Sequence, residues 1–571
     1  SGNTIIGYRA ARSGVSDIHS AVIVGYEAMY SNTDSSGNVA IGHFALRQGS
    51  GGSSRDYNVA IGQDAMRNSN PHVSIAIGKD AGNYLKDGAT GAVHIGHEAG
   101  RYASGSSNTF MGYQAGLGGT SSAPYSTGAV NTAIGFQALM SFTTAQGVTA
   151  IGYEAMTDVT TGEYNVAVGY QAGYYGSGSY NVKIGAFADN NQNSNGNSNV
   201  IIGYRAANGR IADGNVGIGH YAMRYAGGGN SNVAIGDSSL QYPQGDYITA
   251  VGAQAGRQAT GSYNTFMGYR AGYGAVGAPY SSGEQNTAVG YKALGVFTTA
   301  NYNAAFGMEA LRLATTGNSN TALGTFSLYD LNTGTQNVSV GLSSGENITD
   351  GSNNVLVGYR AGYTGTSPDG SIGIGYRALY NNTADYNVAI GYDAGFALTS
   401  GAGNTAIGYE ALKTEDTGGG NTAIGYQALK FNNKDSADAG NTAIGYQAAS
   451  NMTANQRNTI IGYQAASGSA GGVNNNVIIG WQAGMSINSN DAGRNVIIGK
   501  EAGTGGTGTL ASAVIIGEKA MNSTANHAST GQVAIGMNAL TALTSGIENT
   551  AVGYQAGLSL TTGTKNTFLG Y

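Results

Sequence analysis

The stretch Asn421–Leu429 reads Asn-Thr-Ala-Ile-Gly-Tyr-Gln-Ala-Leu, and variants of it recur from one end of the chain to the other. Near-copies stand at Asn131–Leu139, Asn404–Leu412, Asn441–Ala449 and Asn549–Gly557. Counted from the glycine, the 571 residues contain 33 copies, and neighbouring glycines lie 16 to 23 residues apart, most often 17. A short fixed period over a whole chain indicates a repeat architecture. We therefore expect one continuous solenoid over residues 1–571 rather than several globular domains.

The residue types around the glycine predict the local structure of each coil. The residue before it is apolar in every copy, the residue three before is usually Thr or Val, and the residue four before is usually Asn. A short β-branched run closed by Gly predicts a strand of about 4–6 residues followed by a bend. Helix is disfavoured, because Gly, Asn and β-branched residues recur in every coil. The expected fold class is an all-β, parallel β-solenoid.

Stacking of such short coils is expected to bury the repeated apolar positions in one continuous interior row. The residue before each glycine is predicted to point inward, and the Ala or Ser three after it indicates close packing, against either the opposite wall or another chain. The repeated Asn is predicted to form a ladder of stacked amides. The predicted structural core is represented by three copies: Ile134, Gly135, Ala138, Ile407, Gly408, Ala411, Ile424, Gly425 and Ala428.

The position after the glycine is most often Tyr, but it also accepts charged residues and His, as at His43, His97 and His220. Tolerance of charge indicates that this side chain reaches water. A ladder of Tyr rings beside the core is the favoured interpretation, and a stacking surface for sugar rings or a partner chain is the alternative. Simple polar replacement explains the three His better than a metal cluster does.

Composition argues against several functional classes. The net charge is −6, only 10% of residues are charged, and no basic run is present, so nucleic acid is not an expected partner. Without Cys there is no disulfide framework or thiolate metal site. No apolar run approaches the length of a membrane span. We find no clustered carboxylates with a defined geometry, so we expect no catalytic residues, no metal, no cofactor and no enzyme activity.

The Asn-x-Ala-Ile-Gly core resembles the head repeats of YadA-like trimeric autotransporter adhesins. The fuller Asn-Thr-Ala-Ile-Gly-Tyr-Gln-Ala phrase is similar to repeats of phage tail-fibre proteins. This resemblance covers essentially the whole chain, and its specificity comes from the number of copies. It implies a left-handed parallel β-roll, a side-by-side homotrimer and a role in surface attachment. The coils here are longer than those of the autotransporters, and the stalk, anchor and chaperone domains of these families are not in this sequence.

A second, longer repeat singles out two turns as candidate contact sites. Ala-Pro-Tyr-Ser occurs in each of the two longest intervals between glycines, at an offset of about 155 residues that indicates a block duplication. Long turns on a rigid scaffold often carry recognition, and Tyr suits contact surfaces. The alternative is an inert loop copied with its block. The candidate surface contacts are Pro124, Tyr125, Pro279 and Tyr280.

These observations favour a structural fibre or adhesin shaft, outside the cell or on a virion, that attaches to a surface through a glycan or protein receptor. A bacterial trimeric autotransporter head or an extracellular filament subunit is the alternative. A polysaccharide-degrading or ice-binding solenoid is less favoured, because no local break with clustered acids and no Thr-x-Thr ladder is found. Since the sequence begins and ends within a repeat, we expect a segment of a longer or processed protein.

Overall fold

The structure, a computed structural model, contains strands, bends and turns and no helix among the residues it describes. These residues fall into two compact units, one before and one after the boundary between Gln285 and Asn286. The described residues are 2–12, 18–31, 35–47, 56–86, 89–119, 121, 125–277, 280–432, 439–453, 455–469, 473–487, 493–505, 509–522 and 529–571.

The first unit is built from short strands. They are β1 (Thr4–Ile6), β2 (Ile18–His19), β3 (Val22–Val24), β4 (Ser35–Ser36), β5 (Val39–Ile41), β6 (Val59–Ile61), β7 (Ile75–Ile77), β8 (Val93–Ile95), β9 (Thr109–Met111), β10 (Thr132–Ile134), β11 (Thr149–Ile151), β12 (Val166–Val168), β13 (Val182–Ile184), β14 (Val200–Ile202), β15 (Val216–Ile218), β16 (Val233–Ile235), β17 (Thr249–Val251) and β18 (Thr265–Met267).

The second unit repeats the same element. Its strands are β19 (Thr287–Val289), β20 (Ala304–Phe306), β21 (Thr321–Leu323), β22 (Val338–Val340), β23 (Val355–Val357), β24 (Ile372–Ile374), β25 (Val388–Ile390), β26 (Thr405–Ile407), β27 (Thr422–Ile424), β28 (Thr442–Ile444), β29 (Thr459–Ile461), β30 (Val477–Ile479), β31 (Val496–Ile498), β32 (Leu510–Ala511), β33 (Val514–Ile516), β34 (Ser529–Thr530), β35 (Val533–Ile535), β36 (Thr550–Val552) and β37 (Thr567–Leu569).

Within each unit the three-residue strands pair in parallel with the strands of the neighbouring coils, always in the same register. In β26 and β27, for example, Thr405 pairs with Thr422, Ala406 with Ala423 and Ile407 with Ile424. The two-residue strands form small parallel pairs of their own, β2 with β4 and β32 with β34. This arrangement confirms the predicted all-β, parallel β-solenoid.

Each main strand is only three residues long, shorter than predicted, and the glycine that follows it leaves the extended conformation. Gly408 follows β26 with φ +133, a conformation that side-chain-bearing residues rarely adopt. A Cβ on Gly408 would lie 2.7 Å from the carbonyl carbon of Gly425 in the next coil. Gly135 and Gly425 meet the same restriction against Gly152 and Gly445. Glycine is therefore fixed at this position by both conformation and space.

The Asn before each strand forms the predicted amide ladder. The backbone N–H of Asn421 donates to Oδ1 of Asn404 over 2.9 Å, and Asn404 Nδ2 donates to the carbonyl of Gly418 over 2.9 Å. The same pattern links Asn441 to Asn421 over 3.0 Å. These side chains are buried, so each amide satisfies backbone groups that water cannot reach.

The prediction that the residue before the glycine points inward is wrong. In β26 the middle residue, Ala406, is fully buried, whereas Thr405 and Ile407 on either side remain partly exposed. Ile134 and Ile424 lie in the same outward position as Ile407. Successive strand residues face opposite sides, and the side occupied by Ala faces the interior of the coil. An apolar identity in every coil was compatible with either side.

The interior is narrow and is filled by small and large residues that compensate for one another. Ala138, Ala411 and Ala428, three after their glycines, are fully buried as expected for close packing. Where the inward strand residue is Ala406, the residue four after the glycine is the buried Leu412. Other coils reverse this choice. In these coils a large inward residue faces a glycine, and a Cβ on that glycine would overlap the larger side chain. The pairs are Phe110 with Gly116, His94 with Gly100, Phe266 with Gly272, and Leu356 with Gly362.

After the glycine the backbone bonds to both neighbouring coils through residues with positive φ. Glu410 (φ 52) donates its N–H to the carbonyl of Tyr392 in the preceding coil over 2.8 Å. Leu412 (φ 51) donates to Ala428 in the following coil over 3.0 Å. The turn side of the coil is thus hydrogen-bonded although it contains few strands, which satisfies its backbone groups.

Candidate contact surfaces

The first candidate surface is the outer side of the strands. We call it the strand stripe, defined as the first and third residues of each three-residue strand. The first residue is Thr, Val, Ile or Ala and the third is always apolar. Third residues such as Ile151 and Ile390 are 37% exposed, and Leu323 is 50% exposed. Each unit therefore carries a continuous row of apolar side chains that are partly or largely exposed, which is unusual on a surface that faces only water.

The second candidate surface is a column of aromatic rings directly after the glycines. In the second unit it runs through Tyr359, Tyr376, Tyr392, Tyr409, Tyr426, Tyr446, Tyr463 and Trp481. Neighbouring centroids from Tyr376 to Tyr463 lie 4.8–5.2 Å apart with nearly parallel planes. A shorter column in the first unit runs through His97, Tyr113, Phe136, Tyr153 and Tyr170.

Stacking of the rings limits what this column can bind. Each ring within the column has both faces covered by its neighbours, so only its edge and hydroxyl reach outward. A sugar ring that packs on an aromatic face would need a free face, which only the ends of a column offer. His43, His97 and His220 take the same position and stack on Tyr26, Tyr113 and Tyr204. The column thus agrees with a Tyr ladder that accepts polar replacements.

Charged side chains on the turn side are paired with one another. Asp393 lies 2.8 Å from Arg377 and 3.1 Å from Lys413, and Glu410 lies 2.6 Å from Lys413 and 2.7 Å from Lys430. Burial acts to raise the pKa of Glu410, but hydrogen bonds from Lys413, Lys430 and Gln427 outweigh it and lower the pKa to about 2. Glu410 is therefore a carboxylate at neutral pH, held in a network between coils rather than poised to release or accept protons.

The third candidate surface surrounds the two duplicated long turns. The ring of Tyr125 lies against Tyr84 with centroids 4.8 Å apart and planes tilted by 32°, and Tyr280 stacks on Tyr242 at 4.9 Å. Both tyrosines are partly buried, so they belong to small aromatic clusters rather than projecting freely. Burial and the neighbouring Tyr84 and Tyr102 raise the pKa of Tyr125, which keeps its hydroxyl protonated. The other two predicted contacts, Pro124 and Pro279, lie outside the described residues.

The serine after each of these tyrosines was missed by the sequence reasoning. Ser126 and Ser281 are buried, and their hydroxyls accept the backbone N–H of Gly119 over 2.9 Å and of Ala275 over 2.8 Å. Each therefore ties the two ends of its long turn together. The exact repetition of Ala-Pro-Tyr-Ser at both turns is the sequence signal that marks these serines.

Over the residues that the structure describes, no group of three or more His, Asp or Glu is arranged to hold a metal ion. The same residues include no helix with the length and apolarity needed to cross a membrane. No known protein family matches this sequence, and no curated protein matches it either.

Proposed function

We propose that this chain is the repeat shaft of an extracellular attachment fibre, similar to phage tail fibres, in which three copies lie side by side in parallel as left-handed β-rolls. The observation that carries the proposal is the strand stripe. The stripe continues from coil to coil within each unit, and the third residue of every three-residue strand is apolar. A uniform surface of this kind suits association along the length of a fibre better than recognition of one small ligand.

The size of the stripe supports association with further copies. A fully exposed apolar side chain has an accessible surface of about 120 Å². Two such side chains that are each one-third exposed therefore contribute roughly 80 Å² of accessible surface per coil. Each unit would then expose on the order of 1,000 Å² of this face, against a few hundred Å² in the largest patch of an ordinary monomer. A stable interface needs about 800 Å² from each partner. A second copy carries the same stripe at the same spacing, and it is therefore the occupant that we propose.

Attachment, in this proposal, comes from the long turns. The core positions are repeated throughout and cannot encode a unique site, whereas the Tyr125 and Tyr280 clusters interrupt the repeat at two places. A cell-surface glycan or protein is the proposed receptor. A bacterial trimeric adhesin head, or a filament subunit, is the alternative biological setting, and we propose no catalytic activity for either.

Assembly is tested by light scattering together with thiol protection. The full chain is expected to have about three times the monomer mass of 57.7 kDa at micromolar concentration. Because the chain has no Cys, a single Ile407→Cys substitution gives a unique reporter in the stripe. Its thiol should react with a soluble reagent at least ~10-fold more slowly than that of Ala402→Cys, since interface residues are removed from water.

Ala402 is an appropriate control because it is exposed and lies in the turn of the same coil region. A monomer mass would contradict the proposed assembly. A trimer mass with equal rates would retain the trimer but exclude the stripe as its interface.

The contact role of the turns predicts a specific loss of attachment. Replacing Tyr125 and Tyr280 by Ala should weaken binding to the natural surface. Each substitution should also cost about 0.5–1.5 kcal/mol locally, because it removes a ring from a stacked pair. The aromatic contacts with Tyr84 and Tyr242 are the source of this stability cost.

Tyr164→Ala serves as the matched control, since Tyr164 stacks on Tyr180 with centroids 5.5 Å apart but lies away from the long turns. It should lose similar local stability and keep attachment. Retained attachment in the Tyr125/Tyr280 double variant would mean that the turns are spacers.

A further inference from the structure

One coil of the first unit places two ionisable side chains in the interior. Lys183 occupies the inward position of β13, between Ala167 and Ile201 of the neighbouring strands. Asp189, four residues after Gly185, occupies the position that Leu412 fills in the second unit. Lys183 is 2% and Asp189 1% exposed. Lysine is almost never buried to this extent unless it has a partner.

The two side chains are in direct contact in a site with little room for water. Lys183 Nζ lies 2.7 Å from Oδ2 of Asp189. The hydroxyl of the buried Ser194 donates a hydrogen bond to the other carboxylate oxygen, Oδ1. Gly173 in the preceding coil makes space for the lysine stem, because a Cβ there would lie 2.7 Å from Lys183 Cδ. Met156 also borders this space.

Burial favours the uncharged form of the Asp189 carboxyl group. It raises the pKa of Asp189, and the charge and hydrogen bond of Lys183 and the hydrogen bond of Ser194 oppose this only in part. One proton shift along the 2.7 Å contact turns the ion pair into an amine and a carboxylic acid. A buried ion pair gains little net stability, since desolvation offsets its attraction. The site therefore brings a nucleophilic amine and a carboxyl group together where charge is disfavoured.

We propose that Lys183 and Asp189 join through an amide cross-link formed within the folded chain. The neutral Nζ attacks Cγ of the protonated Asp189 carboxyl and a new Nζ–Cγ bond forms. The Cγ–Oδ2 bond then breaks, and Oδ2 leaves as water with its own proton and one proton from Nζ. No oxidant, reductant or further reactant is consumed.

The geometry supports each part of this step. With Nζ 2.7 Å from Oδ2, the carboxyl carbon lies no more than about 4 Å from the amine, one C–O bond further away. Such fixed proximity replaces an encounter between separate molecules. As Nζ attacks, negative charge develops on Oδ1, where the Ser194 hydroxyl already donates. The product removes two buried charges and releases a water molecule to the solvent.

Trypsin digestion of the denatured full chain, followed by mass spectrometry, tests the proposal. Between Arg101 and Arg205 the only Lys or Arg is Lys183, so an unmodified chain gives separate peptides 102–183 and 184–205. A cross-linked Lys183 resists cleavage. We expect a single peptide, 102–205, lighter by one water than its sequence predicts, with fragment ions that place the loss between positions 183 and 189.

Lys183→Arg is the matched control, because it keeps a cation at the site but provides no nucleophilic amine. That variant should be cleaved at position 183 and show no loss of water. Complete cleavage of the original chain after Lys183, with both peptides at their full masses, would overturn the proposal. So would a loss of water mapped to any other residue of this peptide, such as Asp158.

Discussion

Replacing Gly408 by Ala is expected to unfold its coil locally, at a cost above about 3 kcal/mol. The residue would have to adopt φ +133 and would place its Cβ 2.7 Å from the carbonyl carbon of Gly425. Neither atom can move alone, since Gly425 donates its N–H to Ile407 over 2.8 Å in the same ladder. Hydrogen exchange of the Gly425 amide should accelerate strongly, while coils several repeats away stay protected because contacts are between nearest neighbours.

Gly403→Ala provides the comparison within the same coil region. Gly403 also has positive φ, +68, but a Cβ there would have no atom within 4 Å. Gly403→Ala should therefore lower the free energy of unfolding by only about 1–2 kcal/mol, the cost of a left-handed backbone conformation at a residue with a side chain. Equal destabilisation by the two substitutions would show that close contact between successive glycines is not what fixes Gly408.

Acidification is expected to destabilise the coil around His94 by about 3 kcal/mol between pH 7 and pH 4. Burial lowers the pKa of His94 from 6.5 to about 3. Its ring stacks on Phe110 with centroids 5.0 Å apart, and neither ring nitrogen has a hydrogen-bond partner among the described residues. Above pH 6.5 His94 is neutral in both the folded and unfolded chain. Below it, only the unfolded chain takes up the proton, so stability falls until the folded pKa is reached.

His94→Phe should remove this part of the pH dependence. Phe is a compatible replacement because Phe110 occupies the same inward position in the next coil, opposite Gly116. Hydrogen exchange at Gly96 and Val93, whose amides bond to the neighbouring coils, reports the local free energy of opening. Identical pH profiles for the original chain and the variant would contradict the assignment. Carboxylates elsewhere contribute equally to both profiles, so the difference isolates His94.

Sequence reasoning located the elements well because repetition supplies many observations of each position. The glycine after Ile407, the buried Ala411 and the hydrogen-bonded Asn404 were each visible as a residue type kept through the chain. Their roles follow from local chemistry, namely a positive φ, a narrow space and an amide that can bond in two directions. The structure places all three as that chemistry requires.

The repeated residue types did not predict in the same way which side of each strand faces the interior of the coil. The position of Ile407 is occupied by an apolar residue in every coil. Burial inside the coil and burial against another surface explain this equally well. The informative signal was the relation between two positions, since large Phe110 accompanies Gly116 while small Ala406 accompanies Leu412. Residues that exchange volume share one space, so this pairing identifies the middle strand residue as the inward one. The aromatic packing of Tyr125 depends on a turn whose path the repeat does not specify.

The fixed separation between ladder partners has a consequence for how the chain folds. Asn421 bonds to Asn404 only 17 residues earlier, and Glu410 bonds to Tyr392 only 18 residues earlier. Short loops are closed at low entropic cost, and chains dominated by such contacts fold fast. Each finished coil also presents a free strand edge in the right register for the next. Folding can therefore follow synthesis coil by coil, and whole coils can be gained or lost without changing the path of the rest.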